Sequence, residues 1–138
     1  MTGIPTVLFV CVKNGGKSQM AAALMRHHAG DTVEVHSAGT KPGSSINALS
    51  AEVIAEAGGD MSGETPRAID PELLRRADRV IVLGDEARVE AVDGMRAEIE
   101  TWITDEPSER GIEGIERMRL VRDDIVQRVR ALRDELRS

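Results

Sequence analysis

The run Val7-Leu8-Phe9-Val10 is apolar at every position and stops at Cys11, the only cysteine in 138 residues. A short uninterrupted stretch of β-branched and aromatic side chains reads as a buried strand. Behind it come Val12-Lys13-Asn14-Gly15-Gly16-Lys17-Ser18, a glycine-containing loop, and an alanine-rich stretch that reads as a helix from about Lys17 to His28. Strand, tight loop and helix N-terminus form a cradle whose backbone N–H groups can hold a tetrahedral oxyanion. A thiol at the mouth of that cradle sits in the same positive field, to which Lys13 and Lys17 add, and this favours its thiolate. A lone cysteine at a strand end is otherwise an ordinary small buried hydrophobe. The glycines, lysines and helix start around Cys11 favour the nucleophile.

The rest of the chain alternates strands with helices and has no linker, repeat or low-complexity tract. Val33-Glu34-Val35-His36 alternates as a short strand. Residues 47–57 read as a helix through Leu49, Val53 and Ile54, stopped by Gly58-Gly59, and Pro71 can open a further short helix. Arg79-Val80-Ile81-Val82-Leu83 is a buried strand by composition, and Glu98 to Ile103 a weaker one. From Ile112 through Val121, Ile125 and Val129 to Leu136 the apolar residues keep helical spacing. The expected order is β-α-β-α-α-β-α-β-α, an α/β chain with a parallel sheet covered on both faces. In such sheets ligands gather at the carboxyl ends of the strands. Cys11, Ser37 to Thr40, and the segments after Leu83 and Ile103 all fall there.

Composition excludes several classes. Residues 1–138 suit a single domain. A net charge of −6 argues against a nucleic-acid surface and leaves any positive site local. No apolar run approaches a membrane span, no secretion signal opens the chain, and one cysteine closes no internal disulfide, so a cytoplasmic protein is expected. His27, His28 and His36 show no metal-ligand spacing with the cysteine, and no metal site is expected.

The motif Cys11-x5-Lys17-Ser18 resembles the cysteine-x5-arginine-serine phosphate loop of the low-molecular-weight protein tyrosine phosphatases and their arsenate-reductase relatives. Asn14 matches the loop asparagine of that family, Ser37-Ala38-Gly39-Thr40 its SAGT segment, and Asp105-Glu106-Pro107 the acidic segment before a proline that supplies the general acid. The resemblance implies a four-stranded parallel sheet in a three-layer α/β/α fold. It also implies that Ser18 donates to the Cys11 sulfur, and that Val12, Lys13, Asn14, Gly15, Gly16, Lys17 and Ser18 bind the oxyanion. Two positions depart from the pattern. Lys17 replaces the usual arginine, exchanging a planar fork of donors for a point charge on a flexible stem. Lys13 stands where the phosphatases usually have glycine.

Within the family, residues 11–21 look most like the arsenate–mycothiol transferases of actinobacteria. That likeness implies arsenate as substrate, mycothiol as co-substrate, no bound cofactor, and a mycoredoxin acting downstream. The segment after Leu83 carries no second thiol, whereas thioredoxin-coupled relatives keep resolving cysteines downstream. Two candidates remain for the acid. Adjacency to Pro107 favours Glu106 and residue type favours Asp105, with the balance leaning to Asp105; either carboxyl, brought against ligand and thiolate, is expected to have a raised pKa. Trp102 is placed to anchor that loop on the core. The rival readings are a low-molecular-weight phosphatase, disfavoured by Lys17 and by the lack of aromatics in Ser108-Glu109-Arg110, and a non-catalytic oxyanion-binding module.

Overall fold

The central strand of the sheet is the one that leads to the cysteine. In the computed structural model, which describes residues 3–137, β1 (Thr6–Cys11) lies between β2 (Glu34–Gly39) and β3 (Arg79–Leu83), and β4 (Ile99–Trp102) pairs with β3. All pairings are parallel, and the order is β2-β1-β3-β4. A strand hydrogen-bonded on both edges and covered on both faces must be apolar throughout. Val7, Leu8, Phe9 and Val10 are accordingly all fully buried.

Alternation along β1 splits the core in two. Val7 and Phe9 face a large cluster with helices α1 (Lys17–Ala29), α2 (Ala48–Glu56) and α4 (Gly114–Arg137). Leu8 and Val10 face a smaller cluster with Leu74 of α3 (Pro71–Arg76) and with Ala87 and Val89 of the chain beyond β3. This is the three-layer α/β/α arrangement with a four-stranded parallel sheet. The carboxyl ends Cys11, Gly39, Leu83 and Trp102 lie along one edge. Trp102 packs on Phe9 with ring centroids 5.8 Å apart, which anchors the following loop to the core. No described helix is long and apolar enough to cross a membrane.

Three expectations need correction. Residues 84–98 form no helix between β3 and β4. Gly84 and Gly94 take positive φ values of 94° and 81°, and between them Val89 and Val92 pack singly onto the smaller core face. Helical spacing puts Met20, Ala23, Leu24 and His27 on one face of α1, but the helix is not amphipathic: Met20 to Met25 are all buried because the sheet, α2 and α4 enclose it, while His27 is exposed. Ile112 precedes α4 and donates its N–H to the Pro107 carbonyl, so it belongs to the turn before the helix.

Glu56 joins α2 to α4 through Arg119 (2.7 Å) and Arg122 (2.9 Å). The hydrogen bond from Arg119, supported by Arg122, lowers the Glu56 pKa from 4.5 to about 2. A folded-state pKa below the unfolded one stabilises above the unfolded value and is lost as pH falls through the folded one. Glu56→Gln is therefore expected to lower the urea midpoint at pH 7, with the gap to wild type closing between pH 4.5 and 2. An equal gap at both ends of that range would show that the pair contributes nothing through its charge.

Candidate active site

The loop after β1 is held from outside by a strap formed by residues 40–47. Thr40 N–H donates to the Cys11 carbonyl (3.0 Å), Lys41 to Val12 (2.8 Å), Gly43 to Lys13 (2.9 Å) and Asn47 to Gly15 (2.7 Å). In a planar trans peptide the C=O and the next N–H point in opposite directions. Pinning those four carbonyls to the strap therefore turns the N–H groups of Val12, Lys13, Asn14 and Gly16 away from it. The Asn14 N–H lands on Cys11 Sγ at 3.2 Å. This is the local device that makes a loop into an anion cradle.

Asn14 fixes the interior of the loop. It is fully buried and has φ 55°, in the left-handed region that asparagine tolerates. Its Oδ1 accepts from Arg67 N–H (3.0 Å) and Gln19 Nε2 (3.2 Å), and its Nδ2 donates to Ser18 Oγ (2.8 Å). Because a backbone N–H can only donate, Arg67 sets which end of the amide is oxygen. Ser18 Oγ then accepts from Asn14, and its single proton is free for Cys11 Sγ, 2.9 Å away. The sulfur thus sits at the receiving end of two hydrogen bonds, both of which strengthen when it carries charge.

A cavity of about 530 Å³ opens at Cys11, lined by Val12, Lys13 and Lys17 of the loop and by Thr104 and Glu106. Asp85, Glu86 and Glu109 reach the same cavity from the segment after β3 and the 3-10 turn Pro107–Arg110. Gly15 and Gly16 back the cradle, and Lys13 is exposed at its edge. The cavity is larger than a tetrahedral anion requires, so a second reactant can approach the sulfur.

The structure separates the two acid candidates. Glu106 is in the cavity, its Oε1 2.6 Å from Lys17 Nζ and its Oε2 3.1 Å from Arg117 Nη2. Asp105 is turned away. Its carboxylate pairs with Arg110 at 2.8 and 3.1 Å, and its N–H is bound to Asp124. The lean to Asp105 by residue type is not supported by this geometry, since the Arg110 fork draws that side chain to the outer surface. Neither carboxyl has the raised pKa expected of an acid. Lys17 holds Glu106 below its ordinary range, partial burial opposing and Arg117 assisting. Arg110 does the same for Asp105.

Four elements of the site escaped the sequence reading: the strap, Gln19, the Arg67 backbone and Arg117. Gln19 had a signal, being a polar residue within a run of buried helix residues. Arg117 had none, lying among the many charges of α4. The Ser37 to Thr40 segment supports the loop, through the Thr40 N–H and through Gly39. A Cβ on Gly39 would lie 2.6 Å from the Val12 carbonyl oxygen and 3.0 Å from Asn14.

Comparison with known proteins places this geometry. Residues 6–138 match the family described as low molecular weight phosphotyrosine protein phosphatase. An arsenate reductase of Bacillus licheniformis is 35% identical over 131 residues, covering 91% of this chain and 92% of that protein. The solved thioredoxin-dependent arsenate reductase of Corynebacterium glutamicum superposes with a TM-score of 0.79 at 33% identity, over 97% of this chain. This chain spans only 62% of that longer one. The arsenate reductase of Archaeoglobus fulgidus superposes with a TM-score of 0.74 at 27% identity, over 93% of this chain and 98% of that one.

Gly39→Ala tests the strap, because the added methyl meets backbone that cannot move alone. It is expected to cost about 1–3 kcal/mol of stability and to weaken inorganic phosphate, used as an oxyanion probe, by about tenfold. Calorimetric titration beside urea unfolding measures both. Unchanged phosphate affinity would show that the strap does not shape the cradle.

Proposed function

Because the chain belongs to the low molecular weight phosphotyrosine protein phosphatase family, we propose that it uses Cys11 to process arsenate, as an arsenate reductase of the thiol-transferase type. The observation that carries this reading is Cys11 itself. Its sulfur is bound by Ser18 and Asn14 at the foot of the cradle, with Lys17 and Glu106 in the same cavity and no second cysteine in the sequence.

The chemistry balances without a change of oxidation state. Arsenate settles on the loop amides with Lys17 against its oxygens. The Cys11 thiolate attacks arsenic(V), an S–As bond forms and an As–O bond breaks. The departing oxygen is the hydroxyl of the bound hydrogen arsenate; it takes a proton from Glu106 and leaves as water. With only one thiol, the chain cannot release the arsenic by closing a disulfide of its own. A small external thiol, for which mycothiol is the co-substrate proposed, attacks arsenic, and Cys11 leaves as thiolate. The product is an arsenic(V)–thiol adduct. The two-electron reduction to arsenite then falls to a separate redox protein, a mycoredoxin. No bound cofactor enters these steps.

Glu106 is preferred to Asp105 as the proton donor because it alone shares the cavity with the sulfur. Its low pKa in the free protein comes mainly from Lys17, and an arriving oxyanion competes for that lysine. A carboxyl that loses a cation and gains an anionic neighbour takes up a proton more readily.

Lys17 separates this reading from phosphate-ester hydrolysis. Lys17→Ala is expected to lower arsenate turnover by about 10²-fold, and Lys17→Arg to lower it less, since charge is the shared requirement. Appearance of p-nitrophenyl phosphate hydrolysis in Lys17→Arg would make the lysine a specificity element. A harmless alanine would remove Lys17 from the site.

Thiol dependence tests the whole scheme. Arsenite production is expected to require mycothiol together with mycoredoxin and its reducing system, and to stop without the small thiol even when thioredoxin and its reductase are present. Cys11→Ser is expected to abolish turnover while keeping the fold. Intact-mass analysis is expected to find no intramolecular disulfide. Sustained arsenite from thioredoxin alone would overturn the transferase assignment, and equal rates with every small thiol would remove mycothiol only.

A further inference from the structure

Glu106 meets a cation on each of its oxygens, and the two cations have different duties. Lys17, the first residue of α1, lines the same cavity as Cys11, so an oxyanion in the cradle draws its charge away from Glu106 Oε1. Arg117, from the first turns of α4, donates to Oε2 at 3.1 Å, and this is its one ion pair among the described residues. Its Nε–H is sealed from water and has no hydrogen-bond partner. Nε and Nη2 share an edge of the guanidinium fork, so a carboxylate can shift along that edge without leaving the arginine. A buried unpaired donor calls for an explanation, and here it sits on a side chain whose partner is the carboxylate of the active-site cavity.

We propose that Arg117 is a positioning residue for proton delivery: it keeps hold of Glu106 Oε2 while an arriving oxyanion takes Lys17, leaving Oε1 turned to the ligand as the oxygen that carries the proton. This rests on Glu106 being the proton donor. A proton settles on Oε1 because Oε2 is occupied as an acceptor by Arg117. As the Cys11 Sγ–As bond forms, Oε1–H passes its proton to the oxygen whose bond to arsenic breaks. Water leaves, and the ionised Glu106 is reprotonated from solvent. Without Arg117, the flexible side chain follows Lys17 or turns outward, and the proton is delivered from the wrong place. The groups bearing on this titration are Lys17 of α1, Arg117 of α4, Glu109 of the 3-10 turn, Lys13 and Cys11 of the loop, and Asp85 and Glu86 after β3.

The test compares Arg117→Gln, Arg117→Lys, Glu106→Gln and the Arg117→Gln/Glu106→Gln double variant in steady-state arsenate turnover with saturating mycothiol and its reducing system. Glu106→Gln is expected to lower kcat by about 10²-fold or more. Arg117→Gln is expected to lower kcat about tenfold with the KM for arsenate within about twofold, and Arg117→Lys to recover part of the loss. Loss of a cation raises the pKa of Glu106, so the alkaline limb of the kcat–pH profile is expected to move to higher pH in Arg117→Gln. In the Glu106→Gln background, Arg117→Gln is expected to cost nothing further, which a general structural role would not produce. Should Arg117→Gln fail to fold, Arg117→Lys carries the kcat and double-variant comparisons, since it loses the fork, while its alkaline limb is expected to stay in place because it keeps the charge. Wild-type kcat in the Arg117 variants, an unmoved alkaline limb in Arg117→Gln, or a loss that persists without Glu106 would overturn the inference. Full activity in Glu106→Gln would instead overturn the proton-donor reading on which it rests.

Discussion

The buried amide of Asn14 holds the site together. It has no access to water, so each of its polar atoms must find a partner inside the protein. Those partners come from three directions: Ser18 and Gln19 at the start of α1, the Arg67 backbone from the chain after α2, and the cysteine sulfur through Asn14's own N–H. An unpaired buried amide group costs about twice what a formed hydrogen bond gains. The loop conformation, the serine rotamer and the path of residues 65–67 are therefore mutually dependent. The positive φ of Asn14 is part of the same arrangement: the preceding peptide already aims the N–H at the sulfur, and the left-handed turn at Asn14 directs its side chain and the glycines that follow.

Around this neutral core the charges are arranged in competition. Lys17 and Arg117 share one carboxylate, and Lys17 also faces the space where an oxyanion would sit. The free protein supplies its own anion to the cation of its cradle. An incoming ligand must therefore offer more to Lys17 than Glu106 does, which favours doubly charged tetrahedral ions held by several backbone N–H groups over weakly bound monovalent ones. The substitution of lysine for arginine suits this exchange. A flexible stem can turn between two partners, whereas a planar fork engages two oxygens at once and lets go less readily.

Much of the fold was legible because burial in a parallel sheet leaves a plain mark. Val7 to Val10 and Arg79 to Leu83 read as strands because both faces are covered, and they are strands. Residues 84–98 read as a helix only by the rhythm of alternating elements, and that rhythm carries no information about a segment with glycines at positive φ. Enclosure of α1 on nearly all sides erased the periodicity that sequence reading depends on, which is why His27 was misplaced. In the site, Cys11, Asn14, Lys17 and Ser18 were found because they are contiguous. Gln19 was missed although its partner Asn14 lies in the same motif, because its amide gains a role only once Asn14 is buried with its oxygen turned inward, and Arg117 because its partner Glu106 lies 11 residues away outside the helix. The strap was invisible for a different reason: it acts through backbone N–H groups, which every sequence possesses.

The burial of α1 also decides how the cradle responds to ionic strength. Residues 18 to 25 have almost no exposed surface, and the axis they define ends at Lys17 against the loop. The dipole of an exposed helix is muted by water and mobile ions along its length. Here protein takes their place, and counterions gather only at the open mouth. Near 0.15 M salt, where charges are screened over roughly 8 Å, the attraction exerted by the exposed Lys13 fades, while the contribution of the enclosed helix persists. The hold on an anion thus divides into a long-range part that salt removes and a contact part, from the loop N–H groups and the enclosed start of α1, that it leaves.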